Sequence, residues 1–302
     1  TVLLALLSAP PAWAIDPPVI DAAAVPPDEP GPDQPTEQRK ICAEPTALPN
    51  SNFADTPWAN DYLRLTEAQK FATGAGVTVA VIDTGVNGSP RVPAEPGGDF
   101  VDAAGNGMSD CDAHGTMPAA IIAGRPAPTD GFIGIAPDAR LLSLRQTSVA
   151  FQPKGARQDP NDPNTTQTAG SIRSLARAVV HAANLGAQVI NISEAACYKV
   201  TRRIDETGLG AAINYAVNVK GTVIVVAAGN TGQDCTQNPP PDPSVPSDPR
   251  GWREVQTIVS PAWYDPLVLT VGSIGQNGQP SNFSMSGPWV GAAAPGENLI
   301  SL

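Results

Sequence analysis

The stretch GVTVAVIDTGVN, residues 76–87, is an unbroken apolar, β-branched run closed by Thr84-Gly85. Such a run is the mark of a strand buried on both faces of a parallel sheet. The same texture returns in ARLLSLRQ from Ala139, AQVINIS from Ala187, GTVIVVAAGN from Gly221 and PLVLTVGS from Pro266. Between these runs lie helical stretches, most clearly residues 171–185, where Ile172, Leu175, Val179 and Ala182 recur at spacings of three and four. Strands alternating with helices predict an α/β fold with a doubly wound, mainly parallel sheet. Residues 147–169 and 237–250 are polar and proline-rich and read as surface loops inserted into that core.

Composition narrows the function. The 302 residues are enough for one large domain with a sizeable core. Proline, 33 of 302 residues, is about twice its usual share of roughly 5 %, which excludes a coiled coil or an all-helical bundle. Eighteen basic against 29 acidic residues leave a net charge of −11. That field repels a phosphate backbone, so nucleic acid is excluded as a partner.

Residues 1–14, TVLLALLSAPPAWA, have the layout of an export signal: an apolar core, Pro10-Pro11, and a small-x-small triplet ending at Ala14. The charged leader and the initiating Met are expected upstream of Thr1. Residues 15–60 hold a proline-rich arm; nine prolines fall between Ile15 and Asn50 with almost no apolar period, so the arm should be extended and lie along the core. Residues 61–302 form the main domain. Four cysteines, none spaced C-x-x-C, read as two disulfides in an exported chain and not as a metal site. Three pairings are open; sequence order favours Cys42 with Cys111 and Cys197 with Cys235.

Chemistry in such sheets sits at the C-terminal ends of the strands. Asp83 ends the first buried strand. An acid there is often only a turn former, and a dinucleotide site is excluded because Gly74 and Gly76 precede the strand, whereas the phosphate fingerprint follows it. His114, in DCDAHGT, stands before the small apolar run AAIIAG from Ala119 and can project its ring into a cleft. His181, among alanines in a predicted helix, reads as structural. Asn230 closes the fourth run, where its amide could donate to an oxyanion. Asp83, His114 and Asn230, each at the end or edge of a core element, together point to an enzyme.

VIDTGV around Asp83, AHGT around His114, VINIS before Cys197, VAAGN around Asn230 and AAAPG from Ala292 resemble the successive blocks of the subtilisin-like serine proteases, peptidase family S8. DCDAHGT with its cysteine, IDPP at Ile15, RQTS from Arg145, VVHAANLGAQVINIS from Val179 and SGPWVGAAAPG from Ser286 resemble one branch of them, the mycosins. Mycosins are membrane-anchored subtilases of mycobacterial type VII secretion systems. The resemblance implies a seven-stranded, subtilisin-like sheet, an arm that wraps the domain, and disulfides Cys42–Cys111 and Cys197–Cys235. It makes Asp83 and His114 catalytic and Asn230 the oxyanion donor, and it places Ser193, Glu194, Ala195, Ala227 and Gly229 along the substrate cleft. It implies a polypeptide substrate, partnership with a type VII secretion membrane complex, a location on the extracytoplasmic face of the membrane, and chemistry that needs no cofactor or metal; EF-hand calcium loops are absent from the sequence, while irregular calcium sites of the kind subtilases can use leave no sequence pattern.

Two departures from the pattern shape the expectation. The Gly-Thr-Ser-small sequence that carries the nucleophile opens a helix after the APG block. Ser273, Ser284, Ser286 and Ser301 lack that lead-in, so the nucleophile, the last helices and a membrane anchor are expected beyond Leu302, and the 302 residues alone should be inactive. After Ser193, the usual Leu-Gly-Gly is replaced by Glu194-Ala195-Ala196, whose added side chains should narrow the cleft and favour selective cleavage. Met117-Pro118 after His114-Gly-Thr costs little, because proline is tolerated in a first helical turn.

Overall fold

The computed structural model describes residues 15–302 apart from Leu48, residues 157–167, Arg203, Gln233 and Asp234; the export-signal reading of residues 1–14 falls outside them. The sheet is built from β1 (Thr78–Asp83), β2 (Ala94–Asp99), β3 (Arg140–Arg145), β4 (Val189–Ile192), β5 (Val223–Ala227), β6 (Leu269–Ile274) and β7 (Val290–Pro295). These seven strands lie in the order β7-β6-β5-β4-β1-β3-β2, and every pairing between them is parallel.

The continuous apolar run of β1 is explained by what covers it. Val79 and Val81 enter a buried cluster with Ala119, Ala120 and Ala123 of helix α1 (Thr116–Ala123). Ala80 and Ile82 enter a second cluster on the opposite face, with Leu175 and Val179 of α2 (Ile172–Asn184) and Leu209 and Ile213 of α3 (Thr207–Asn214). Residues two apart share a face of a strand, so a strand roofed on both sides must be apolar throughout. The chain runs from β1 to β2 and β3 on one side, then crosses to β4 on the other. The crevice between the C-terminal ends of β1 and β4 is therefore the switch point where doubly wound sheets bind ligands.

Helix α2 starts one residue inside the predicted 171–185, because Ser171 is its N-cap: the Ser171 hydroxyl accepts from Ser174 N, and the Ser174 hydroxyl accepts from Ser171 N. Loss of an N-cap hydroxyl costs about 1 kcal/mol, so Ser171→Ala is expected to lower stability by that amount. A shifted urea midpoint at unchanged m-value would show it.

The structure adds elements that the pattern did not announce. β2, AEPGGD, holds Pro96, Gly97 and Gly98, which are poor strand formers, yet it occupies the sheet edge, where a proline is tolerated, and its register slips between Pro96 and Asp99. Part of the expected 147–169 loop is a short strand, Phe151–Pro153, paired antiparallel with Thr36–Gln38 of the arm. A second antiparallel ribbon joins Ala196–Lys199 to Thr257–Ser260.

The arm makes specific contacts with α2. Arg177 donates to the carbonyls of Glu29 and Gly31 and pairs with Asp33 at 2.7 Å. His181 Nδ1 lies 2.5 Å from Asp28 Oδ1, and Asn184 donates to Asp28 Oδ2 at 2.8 Å, so His181 binds the arm and takes no part in the switch-point crevice. Ile15 and Val25 pack against the larger core cluster. Disulfides join Cys42 to Cys111 and Cys197 to Cys235.

Candidate active site

Asp83 is the last residue of β1 and is fully buried. One of its oxygens, Oδ1, accepts a hydrogen bond from Thr84 N at 2.6 Å and lies 2.7 Å from His114 Nδ1. The other, Oδ2, is buried with no hydrogen-bond partner among the described residues. His114 itself is half exposed, so its ring is held from inside the protein and offered to the crevice.

The approach to α1 fixes that ring. Ala113, directly before His114, sits at a φ of 56°, in the left-handed region that a non-glycine residue avoids unless its surroundings impose it. Gly115 follows because nothing larger fits: a Cβ there would come within 2.2 Å of the Gly85 carbonyl oxygen and 3.0 Å of Asp83 Cβ. Asp110 organises the turn from below. Its Oδ2 accepts from Thr116 N at 2.9 Å and the Thr116 hydroxyl at 2.6 Å, which caps α1 at its first turn. Its Oδ1 accepts from the Thr84 hydroxyl at 2.8 Å, and that hydroxyl accepts from Gly115 N. Asn87 closes the network with reciprocal bonds to the Asp110 backbone. Sequence reasoning singled out neither Asp110, Thr84 nor Asn87; an acid six residues ahead of a helix-opening threonine was the available signal.

The crevice has its second wall at β4. Asn191 Nδ2 donates to the Ser193 hydroxyl at 2.8 Å. Glu194 turns into the crevice, with Oε1 3.7 Å from His114 Nδ1 and a third of its side chain exposed. A cavity of ≈ 350 Å³ runs from Glu194 and Ala195 past Gln146 and Thr147 to Ile172 and Leu175. The strand-end segment after β5 lies beside it: Gly229 has a φ of 88°, which favours glycine, and a Cβ there would lie 3.0 Å from Val259 Cγ1 and 3.7 Å from Ala195 Cβ. Ala227 ends β5, and Asn230 is exposed at the same C-terminal edge, bridged to Ser284. The structure thus brings Asp83, His114 and Glu194 into contact distance and places Ala195 beside Gly229.

The charges of this group are coupled. The hydrogen bond that His114 donates to Asp83 is the main force on the ring; burial opposes it, and the charges of Asp83, Glu194 and Asp110 add to it, so the imidazole is raised to about 9. Burial lifts the Glu194 carboxyl to about 7, Asp83 adds to the shift, and His114 opposes it. The donor atoms of Asp83, His114 and Glu194 lie within 4.8 Å of one another, close enough in principle to share a cation. Within the trio, His114 Nδ1 is hydrogen-bonded to Asp83 and Glu194 stands beside the pair.

An Asp–His pair at the switch point, with a donor at the end of the next strand but one, has the layout of a serine-protease base. The pattern that defines the Subtilase family matches residues 74–302. A mycosin-1 of Mycolicibacterium smegmatis is 93% identical over 301 residues, covering 100% of this chain and 67% of that protein. Among solved structures, MycP1 from the ESX-1 type VII secretion system superposes with a TM-score of 0.90 at 93% identity, covering 95% of this chain and 75% of that one. A chain in the periplasmic assembly of the ESX-5 inner membrane complex superposes with a TM-score of 0.88 at 47% identity, covering 95% of this chain and 74% of that one. The chain belongs to the subtilase family and, within it, to the mycosins.

Proposed function

We propose that the protein is a selective serine endopeptidase that works at a type VII secretion complex on the extracytoplasmic face of the membrane. The observation that carries the reading is the 2.7 Å contact between buried Asp83 and half-exposed His114. A buried carboxylate fixes the tautomer with Nδ1–H turned inward and leaves Nε2 free to take a proton. The nucleophile is a serine C-terminal to Leu302. Its hydroxyl attacks the peptide carbonyl and gives its proton to His114, and Asp83 stabilises the imidazolium so formed. Asn230 donates to the developing oxyanion, and His114 then returns the proton to the leaving amine. Ser193, Glu194 and Ala195 on one side and Ala227 and Gly229 on the other hold the substrate backbone. The crowded 194–196 wall supports selectivity, and the substrates are exported polypeptides.

A second role as a structural subunit is favoured by one finding, the similarity to a chain built into a solved secretion-complex assembly. The experiment that separates the two offers a peptide library and the culture's secreted proteins to the full-length protein and its His114→Ala variant. Discrete cleavages lost in the variant are expected. No cleavage by either, with secretion intact in cells carrying only the variant, would leave the structural role alone.

A further inference from the structure

We infer that Glu194 is a second carboxylate for His114, a positioning residue that holds the imidazolium and so restrains the catalytic base at neutral pH. The inference rests on the reading of His114 as that base and adds its regulation. The geometry carries it. His114 Nδ1 has one carboxylate at 2.7 Å and another at 3.7 Å, from two different strand ends. The first is fully buried and has an oxygen with no partner among the described residues; the second is only a third exposed. An unsatisfied buried carboxylate and a poorly solvated neighbour both favour a proton on the ring between them.

The other charged groups facing this cluster have the same sign. Asp110, in the turn before α1, acts on His114, and Asp112 acts on Glu194. The cation in the cluster is His114 itself, and burial is what opposes its protonation. At 3.7 Å, Glu194 is an electrostatic neighbour and no replacement for Asp83; it leaves the tautomer alone and changes how tightly the second proton is held. A main midpoint near 9 leaves only a few imidazoles in a hundred neutral at pH 7. Cleavage is then slow at neutral pH. A substrate or partner that covers Glu194, or pulls its carboxylate away, frees the base.

The test reads the imidazole directly and needs no proteolysis. The 302 residues contain two histidines, and the His114 ring resonance of the full-length protein can be assigned from a His114→Gln variant. In the unsubstituted protein the His114 signal should titrate in two steps, a small one near pH 7 as Glu194 ionises and the main one near pH 9. Glu194→Gln should remove the small step and lower the main one by about one pH unit. Glu194→Asp should fall between the two. In parallel, fluorophosphonate labelling should speed up in Glu194→Gln, about twofold at pH 7, where Glu194 is half ionised, and about threefold at pH 8. A single-step titration in the unsubstituted protein, or an unchanged midpoint in Glu194→Gln, would overturn the inference even if the variant labels normally. Failure of every form to label, with the two-step titration present, would instead count against the protease reading.

Discussion

Asp83→Asn in the full-length protein is expected to lower kcat by about 10⁴, the scale of the equivalent change in serine proteases of unrelated fold. Asparagine fills the same space, so the 0 % exposure of this site need not change. The amide can, however, turn an N–H toward Nδ1, which forces the ring proton onto Nε2, the atom that must receive the serine proton. The negative charge that stabilises the imidazolium is lost as well. Kinetics on a fluorogenic peptide would show the loss, and a decrease under tenfold would mean that Asp83 is only a structural carboxylate. The pH dependence has a definite sign. The proposed mechanism needs neutral His114, whose midpoint is raised to about 9, so the rate should climb through neutrality and level off near that value. The contribution of the charged ring to folding runs the other way: it is complete below the ordinary value of 6.5 and disappears as pH rises through about 9.

The largest effect on stability is expected at Arg145. Its side chain ends β3 at 3 % exposure and pairs with Asp99, 1 % exposed, at 2.8 Å. Asp99 also accepts from Val101 N and Asp102 N at 2.9 and 2.8 Å, so it turns the chain out of the edge strand β2. Arg145→Met would leave that carboxylate charged, buried and short of its cation, which costs about 3–5 kcal/mol. The double variant Arg145→Met, Asp99→Asn should recover most of this. Denaturant unfolding of the three proteins decides the matter; a single-variant loss below about 1 kcal/mol would place the ion pair in water.

The central strands were legible because both faces of the sheet are roofed. β1, β3, β4, β5 and β6 announce themselves as apolar runs, and their order around the switch point makes Asp83 and His114 meet. The edges were not legible. β2 has a proline and two glycines among six residues and exists because the edge demands little of it. β7 is largely exposed, so its small residues carry no strand pattern and were recognisable only as a family block. The arm's proline content predicted extension but not the partners it finds on α2, since Arg177 and His181 belong to an element far away in sequence. Glu194 shows the limit most clearly. From the sequence it is a bulky replacement in a cleft wall; that its carboxylate lies 3.7 Å from His114 Nδ1 depends on β4 lying beside β1, a relation no local pattern encodes.

The central claim is that Asp83 and His114 serve a serine nucleophile. Mass-spectrometric mapping of the site labelled by a fluorophosphonate on the full-length protein tests it most directly. One modified serine is expected, in a Gly-Thr-Ser segment C-terminal to Leu302, with labelling abolished by His114→Ala. A His114-dependent label on Ser193, Ser273, Ser284, Ser286 or Ser301, or labelling that persists in His114→Ala, would contradict it.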